Sequence, residues 1–128
     1  MSLANPLRVV LGSGSAKGGV QHWWLQRLTS LALVPLTVWF VVSLLALPSL
    51  ERDTVIAWML HSWTTLPLIF LLLVGAWHSQ LGLRVIVEDY MHEAGSRTVT
   101  LVVLAFVNVL AAAAGVFAIL KVAFGGAA

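Results

Sequence analysis

Cysteine is absent from the 128 residues, so the chain has no disulfide, no thiolate zinc site and no cysteine-ligated iron–sulfur cluster of its own. Charge is scarce as well. Asp, Glu, Lys and Arg make up 9% of the chain, against roughly a quarter in a soluble domain. A soluble globular fold is excluded on that count, and disorder, collagen-like repeats and a coiled coil fail with it, because each needs a polar or periodic composition. Seven Lys and Arg against five Asp and Glu leave a net charge of +2 with no basic run, which gives no footing for nucleic acid. There is no glycine-rich phosphate loop, no pair of carboxylates within an apolar stretch, no Ser/His/Asp set and no room for a soluble catalytic domain.

What remains is apolar: 60% of the residues are hydrophobic, and the mean hydropathy is +0.98. Three stretches carry no charged residue: Leu28 to Leu50 (23 residues), Thr54 to Leu83 (30 residues) and Thr98 to Leu120 (23 residues). A hydrocarbon layer of about 30 Å needs about 20 helical residues, and helix is the form that satisfies the backbone of a single span in lipid. The expected fold is therefore an all-α integral membrane protein with three transmembrane helices, at about 28–47, 65–87 and 98–120. The first span is expected to begin near Gln26 and end before Pro48, with Pro35 a candidate kink. Trp58, His61, Trp63 and Pro67 suggest an interfacial entry to the second, whose polar end is Glu88-Asp89-Tyr90. In the third, Ala111 to Ala114 followed by Gly115 either admit a close neighbouring helix or simply face lipid.

Residues 1–21, with Pro6 and Gly12, Gly14, Gly18 and Gly19, read as a flexible tail ahead of a 22–128 anchor, and as neither a secretory signal nor a transit peptide. Arg8, Lys17, Arg27, Arg84 and Arg97 fall on one side of the bundle and Arg52 and Lys121 on the other. The positive-inside rule then puts the N-terminus and the second loop in the cytoplasm, or in the matrix of a mitochondrion.

His78 is the sharpest feature, since it lies inside the second apolar span. Gly75, His78 and Gly82 follow a three-then-four spacing and share one helical face. Two readings stand side by side. Either the glycines leave room around the ring for a flat macrocycle whose iron His78 ligates, or His78 hydrogen-bonds a neighbouring helix and the glycines allow close packing. A second axial nitrogen would have to come within about 4 Å of the first across bonds of roughly 2 Å. His61 and His92, at 17 and 14 residues, are about 25 and 20 Å away along a continuous helix. His22 lies outside Arg27, too shallow unless that segment folds inward, which leaves a partner chain as the donor. Asp89 returns to within about 20° of the His78 face, about 16 Å nearer the surface, so that Asp89 and Tyr90 are expected to cap the same cavity. A phenol beside an acid suits hydrogen bonding and proton relay to a quinone oxygen; an aromatic-belt anchor is the alternative for Tyr90. Arg27 suits a carboxylate such as a haem propionate, or snorkelling to lipid phosphate. The six tryptophans read as interface anchors, with Trp77 the exception.

Two signatures, His22-Trp23-Trp24-Leu25-Gln26-Arg27-Leu28-Thr29 entering the first span and His78 followed by Asp89-Tyr90 at the end of the second, resemble the smaller, haem-bearing hydrophobic membrane anchor of succinate dehydrogenase, or respiratory complex II. The resemblance covers roughly His22 to Lys121. It implies that His78 is one axial ligand of haem b in a helical bundle shared with a sister membrane anchor, which supplies the other. It also implies that Tyr90 hydrogen-bonds ubiquinone with Asp89 in support, and that Arg27 lies near a haem propionate, with Gly75 and Gly82 beside the ring. The further partners it implies are an iron–sulfur subunit and a flavoprotein that oxidises succinate, in a bacterial inner membrane. Alternatives are a haem-free fumarate reductase anchor and a structural three-span subunit of an unrelated membrane complex.

Overall fold

The structure, a computed structural model, describes residues 16–125. Four helices follow in order: α1 (Ala16–Leu45), α2 (Arg52–Met59), α3 (Ser62–Tyr90) and α4 (Ala94–Gly125). Three of them, with 30, 29 and 32 residues, are about 45 Å long at 1.5 Å per residue and exceed the hydrocarbon thickness. The protein is an all-α integral membrane protein, as its apolar runs require.

Large apolar side chains are spread over the outside of the bundle, among them Leu31, Leu45, Phe106 and Phe124, while Leu68 and Val87 are the buried hydrophobic residues among those described. In water this surface would be untenable. In lipid it is the solvated state, because acyl chains are as apolar as leucine, and helix association rests on close packing and polar contacts instead.

The helices outrun the spans read from charge. α1 starts at Ala16, ten residues before the expected Gln26, so the flexible tail expected over 1–21 is helical from Ala16 onward; residues 1–15 lie outside the described part. Gly18 and Gly19 cost a helix only about 1 kcal/mol each, and extending an existing helix adds a hydrogen bond for every residue fixed. Pro35 and Pro67 sit inside α1 and α3 without ending them. α1 closes with Ala46 N–H on Val42 O and Leu47 N–H on Leu44 O, just ahead of Pro48.

The 30-residue charge-free run is broken by a joint. α2 ends at Met59, and His61, in extended backbone, opens α3. Two buried threonines hold the joint: Thr64 and Thr65 donate their N–H groups to His61 O, and Thr65 Oγ1 reaches Met59 O at 2.9 Å. Trp58 lays α2 against the end of α1, stacked on Trp39 at 6.1 Å between ring centroids. Both indoles therefore pack within the chain as well as marking a span end.

α3 is the central helix and packs on α1 and on α4, which do not pack on each other. Gly115 of α4 receives Leu72 of α3, whereas Ala111, Ala113 and Ala114 are exposed. The small-residue run thus serves both expected purposes, one on each of its faces.

Candidate functional site

The seam between α1 and α3 brings together polar residues that lie 49 and 52 positions apart. From α3 come Gly75, His78 and Gly82, and from α1 come Gln26, Thr29 and Leu33. A Cβ at Gly75 would stand 3.9 Å from Leu33 and one at Gly82 3.8 Å from Gln26, with His78 between them against Thr29 and Gln26. Numbers fall along α1 as they rise along α3, so the helices are antiparallel, and matched three-then-four spacings keep the two faces in register.

His78 Nδ1 lies 2.9 Å from Thr29 Oγ1. That hydroxyl is also 2.8 Å from Leu25 O and 3.1 Å from Gln26 O. A hydroxyl has one proton, and the two backbone carbonyls of α1 can only accept. The arrangement that satisfies all three contacts has Thr29 donating to its own helix and accepting from His78 Nδ1–H. Nδ1 is then the nitrogen that carries a proton toward Thr29, and Nε2 is the nitrogen left to face another group. The group facing Nε2 is the amide nitrogen of Gln26 at 3.5 Å, the outer limit of a hydrogen bond.

Two other polar atoms on the same face of α1 are buried without a partner: Gln26 Oε1 and His22 Nε2. His22 precedes Gln26 by four residues and Thr29 by seven, so the N-terminal continuation of α1 places it on the same helical face as those two. The room expected around His78 is not open space. α1 fills it, and the glycine contacts at 3.8–3.9 Å are ordinary van der Waals distances. Within this chain the glycines allow close helix approach, which is the packing alternative raised by the sequence.

The other expected site residues lie apart from the seam. Arg27 is exposed, its guanidinium 4.8 Å from the Trp23 ring centroid. Asp89 and Tyr90 are exposed at the end of α3, Tyr90 at 81%, and among the described residues neither side chain forms a hydrogen bond or ion pair. α3 is continuous from Ser62 to Tyr90, so Asp89 does return to the His78 azimuth, but two grooves along α3 are lined by neither His78 nor Asp89 nor Tyr90. These two grooves, of about 800 and 540 Å³, lie between α3 and α4, on another face of α3. Trp77, Gln80 and Arg84 line the larger one, and Asn108 donates to Ser79 Oγ at 2.8 Å nearby. Among the described residues no group of three or more His, Cys, Asp and Glu could hold a metal.

Sequence reasoning finds Gln26 and Thr29 only as neighbours of Arg27. The available signal is their spacing with His22 and Leu33, which puts all four on one face.

Residues 1–114 match the family described as succinate dehydrogenase/fumarate reductase transmembrane subunit. The chain belongs to that family. The succinate dehydrogenase hydrophobic membrane anchor subunit of Rickettsia conorii is 34% identical over 80 residues, covering 62% of this chain and 64% of that one. That of Rickettsia bellii is 33% identical over 79 residues, covering 62% and 63%. These alignments thus span a little under two thirds of the relatives' length. The protein of the same name in Paracoccus denitrificans is 26% identical over 125 residues, or 98% of this chain and 96% of that one. No solved structure matches. Three helices long and apolar enough to cross a membrane fit a transmembrane subunit.

Proposed function

We propose that the chain is the haem-bearing membrane anchor of a succinate:quinone oxidoreductase, giving haem b one axial ligand from His78 and forming part of a ubiquinone-reduction site with Asp89 and Tyr90. The observation that carries the reading is the His78 ring inside α3, whose Nδ1 lies 2.9 Å from Thr29 Oγ1, so that Nε2 is the nitrogen available to a metal, with the other ring nitrogen held by an acceptor as metal-bound histidines usually are. Support comes also from the unpartnered Gln26 Oε1 and His22 Nε2. Buried polar atoms without partners are costly in a lipid-solvated bundle, and a bound group with polar substituents at this seam would satisfy them.

When bound, haem b supplies a centre that exchanges single electrons. His78 would hold the iron from this chain, with a further ligand owed by the sister membrane anchor. Gly75 and Gly82 keep α3 narrow on either side of the ring. Arg27, exposed beside Trp23, would be the cation available to a haem carboxylate.

Reduction of a quinone consumes protons as well as electrons, and the exposed end of α3 provides for them. The Tyr90 phenol donates a hydrogen bond to a quinone oxygen, and Asp89 beside it holds water or a proton at the surface. Succinate oxidation belongs to the flavoprotein, with the iron–sulfur subunit between it and this anchor. The chain sits in a bacterial inner membrane with its N-terminus and the α3–α4 turn on the cytoplasmic side.

A haem-free anchor is the second reading, favoured by the His78–Thr29 bond itself, which would satisfy a packed histidine. The dithionite-reduced minus oxidised spectrum of the purified complex, taken with the His78→Ala variant, separates the two. A b-type band that depends on His78 is the expected result, and a featureless spectrum from the intact wild-type complex rejects it.

A further inference from the structure

We infer that Thr29 is the positioning residue for the iron ligand: by accepting the Nδ1 proton of His78 it fixes the tautomer, aims Nε2 and makes the imidazole a stronger donor. The inference rests on the haem reading above.

Thr29 is suited to this because its own proton is committed. With Oγ1 at 2.8 and 3.1 Å from Leu25 O and Gln26 O, the hydroxyl is anchored to its helix and presents a lone pair to the ring. A threonine hydroxyl back-bonded in this way is common inside helices; here the lone pair meets the N–H of a histidine inside a membrane span. A metal-bound histidine characteristically donates its second N–H to an acceptor, which holds the ring orientation and raises ligand basicity. The partner on the other nitrogen is weakly held. Gln26 faces Nε2 at 3.5 Å while its own Oε1 lacks a partner, so engaging Nε2 sacrifices one long contact. The 2.9 Å bond on Nδ1 stays in place.

The consequence is electronic as well as geometric. An acceptor on Nδ1 favours ferric over ferrous iron, and hydrogen bonding around the axial ligand is one of the levers by which a protein sets haem potential. Thr29→Val keeps the branched shape and removes the acceptor, whereas Thr29→Ser keeps the acceptor and removes a methyl group.

The test uses the assembled complex in native membranes, comparing wild type with Thr29→Val, Thr29→Ser and His78→Ala by potentiometric titration of the haem band and by haem loss to an excess of a haem-scavenging protein. Thr29→Val is expected to move the midpoint potential upward and to weaken haem retention by about 10–100-fold, with Thr29→Ser close to wild type in both. If Thr29→Val fails to assemble, Thr29→Cys, which has a weaker acceptor, must still shift the potential upward. A potential and retention unchanged in Thr29→Val, or in Thr29→Cys where that variant is used, while the band still depends on His78, overturns the role of Thr29 and leaves the haem reading intact. A band that survives in His78→Ala removes the haem-ligation reading, and the role of Thr29 with it.

Discussion

Leu72 of α3 points its Cδ2 at Gly115 of α4, 2.6 Å from where a Cβ on that glycine would stand. Real Cβ atoms do not approach so closely. The leucine fits because the facing position has no side chain, in the manner by which small residues bring membrane helices together.

Gly115→Ala therefore forces Leu72 out of its position and should destabilise the α3–α4 pair by about 1–3 kcal/mol, the usual range for overpacking. Shortening the leucine should relieve it, so Gly115→Ala is expected to cost less in a Leu72→Ala background than alone. Unfolding in mixed micelles of the four proteins in this cycle measures the coupling. Strictly additive effects would show that the two residues do not meet.

A pH-dependent contact lies at the start of the same helix, outside the membrane span. Glu93 accepts from the N–H groups of Gly95 and Ser96 and caps α4, whose first carbonyl acceptor is Glu93 O to Arg97 N–H. Its carboxyl is held below the ordinary glutamate range, by the Ser96 hydroxyl first and then by the Ser96 and Gly95 N–H groups. A depressed carboxylate contributes stability that is fully present above the unfolded pKa and is lost as pH falls through the folded one. Glu93 is fully exposed, so the effect is local and is best read locally. The Ser96 amide resonance should titrate with the Glu93 carboxyl, at a midpoint below that of an ordinary glutamate, and Glu93→Gln should abolish the titration. A midpoint at the ordinary value would mean that the cap does not form.

The three spans are legible in the sequence because hydrocarbon tolerates few charges, so span positions can be read from where Asp, Glu, Lys and Arg are missing. The helix ends are not, since α1 runs back to Ala16 and α4 on to Gly125 through residues that lipid does not select. The joint at Leu60 and His61 shows in the sequence only as an interfacial entry marked by Trp58, His61, Trp63 and Pro67. The separate helix before it does not, because the joint is held by Thr65 reaching back to Met59. At the seam, His78 announces itself by being ionisable inside a span, but its partner does not. Thr29 becomes its partner through the register of two antiparallel helices, which only the folded chain sets. Arg27 is readable two ways, and its exposed position over Trp23 is compatible with both.

The end of α3 permits the sharpest functional test of the proposed quinone site. Tyr90 is 81% exposed and its side chain has no hydrogen-bond partner among the described residues, so its hydroxyl is not needed to hold the chain together. Tyr90→Phe removes that hydroxyl and leaves the ring, which should spare assembly. If the phenol donates to a quinone oxygen, the loss falls on the step that consumes quinone, by about tenfold or more if a net hydrogen bond of about 1.5 kcal/mol is lost. Succinate oxidation by an artificial acceptor that bypasses the membrane domain should continue at close to the wild-type rate. Measuring both activities on one membrane preparation gives the ratio directly. A fall in quinone reduction alone places Tyr90 at the quinone, while equal losses, or none, return it to the role of an aromatic anchor at the lipid surface.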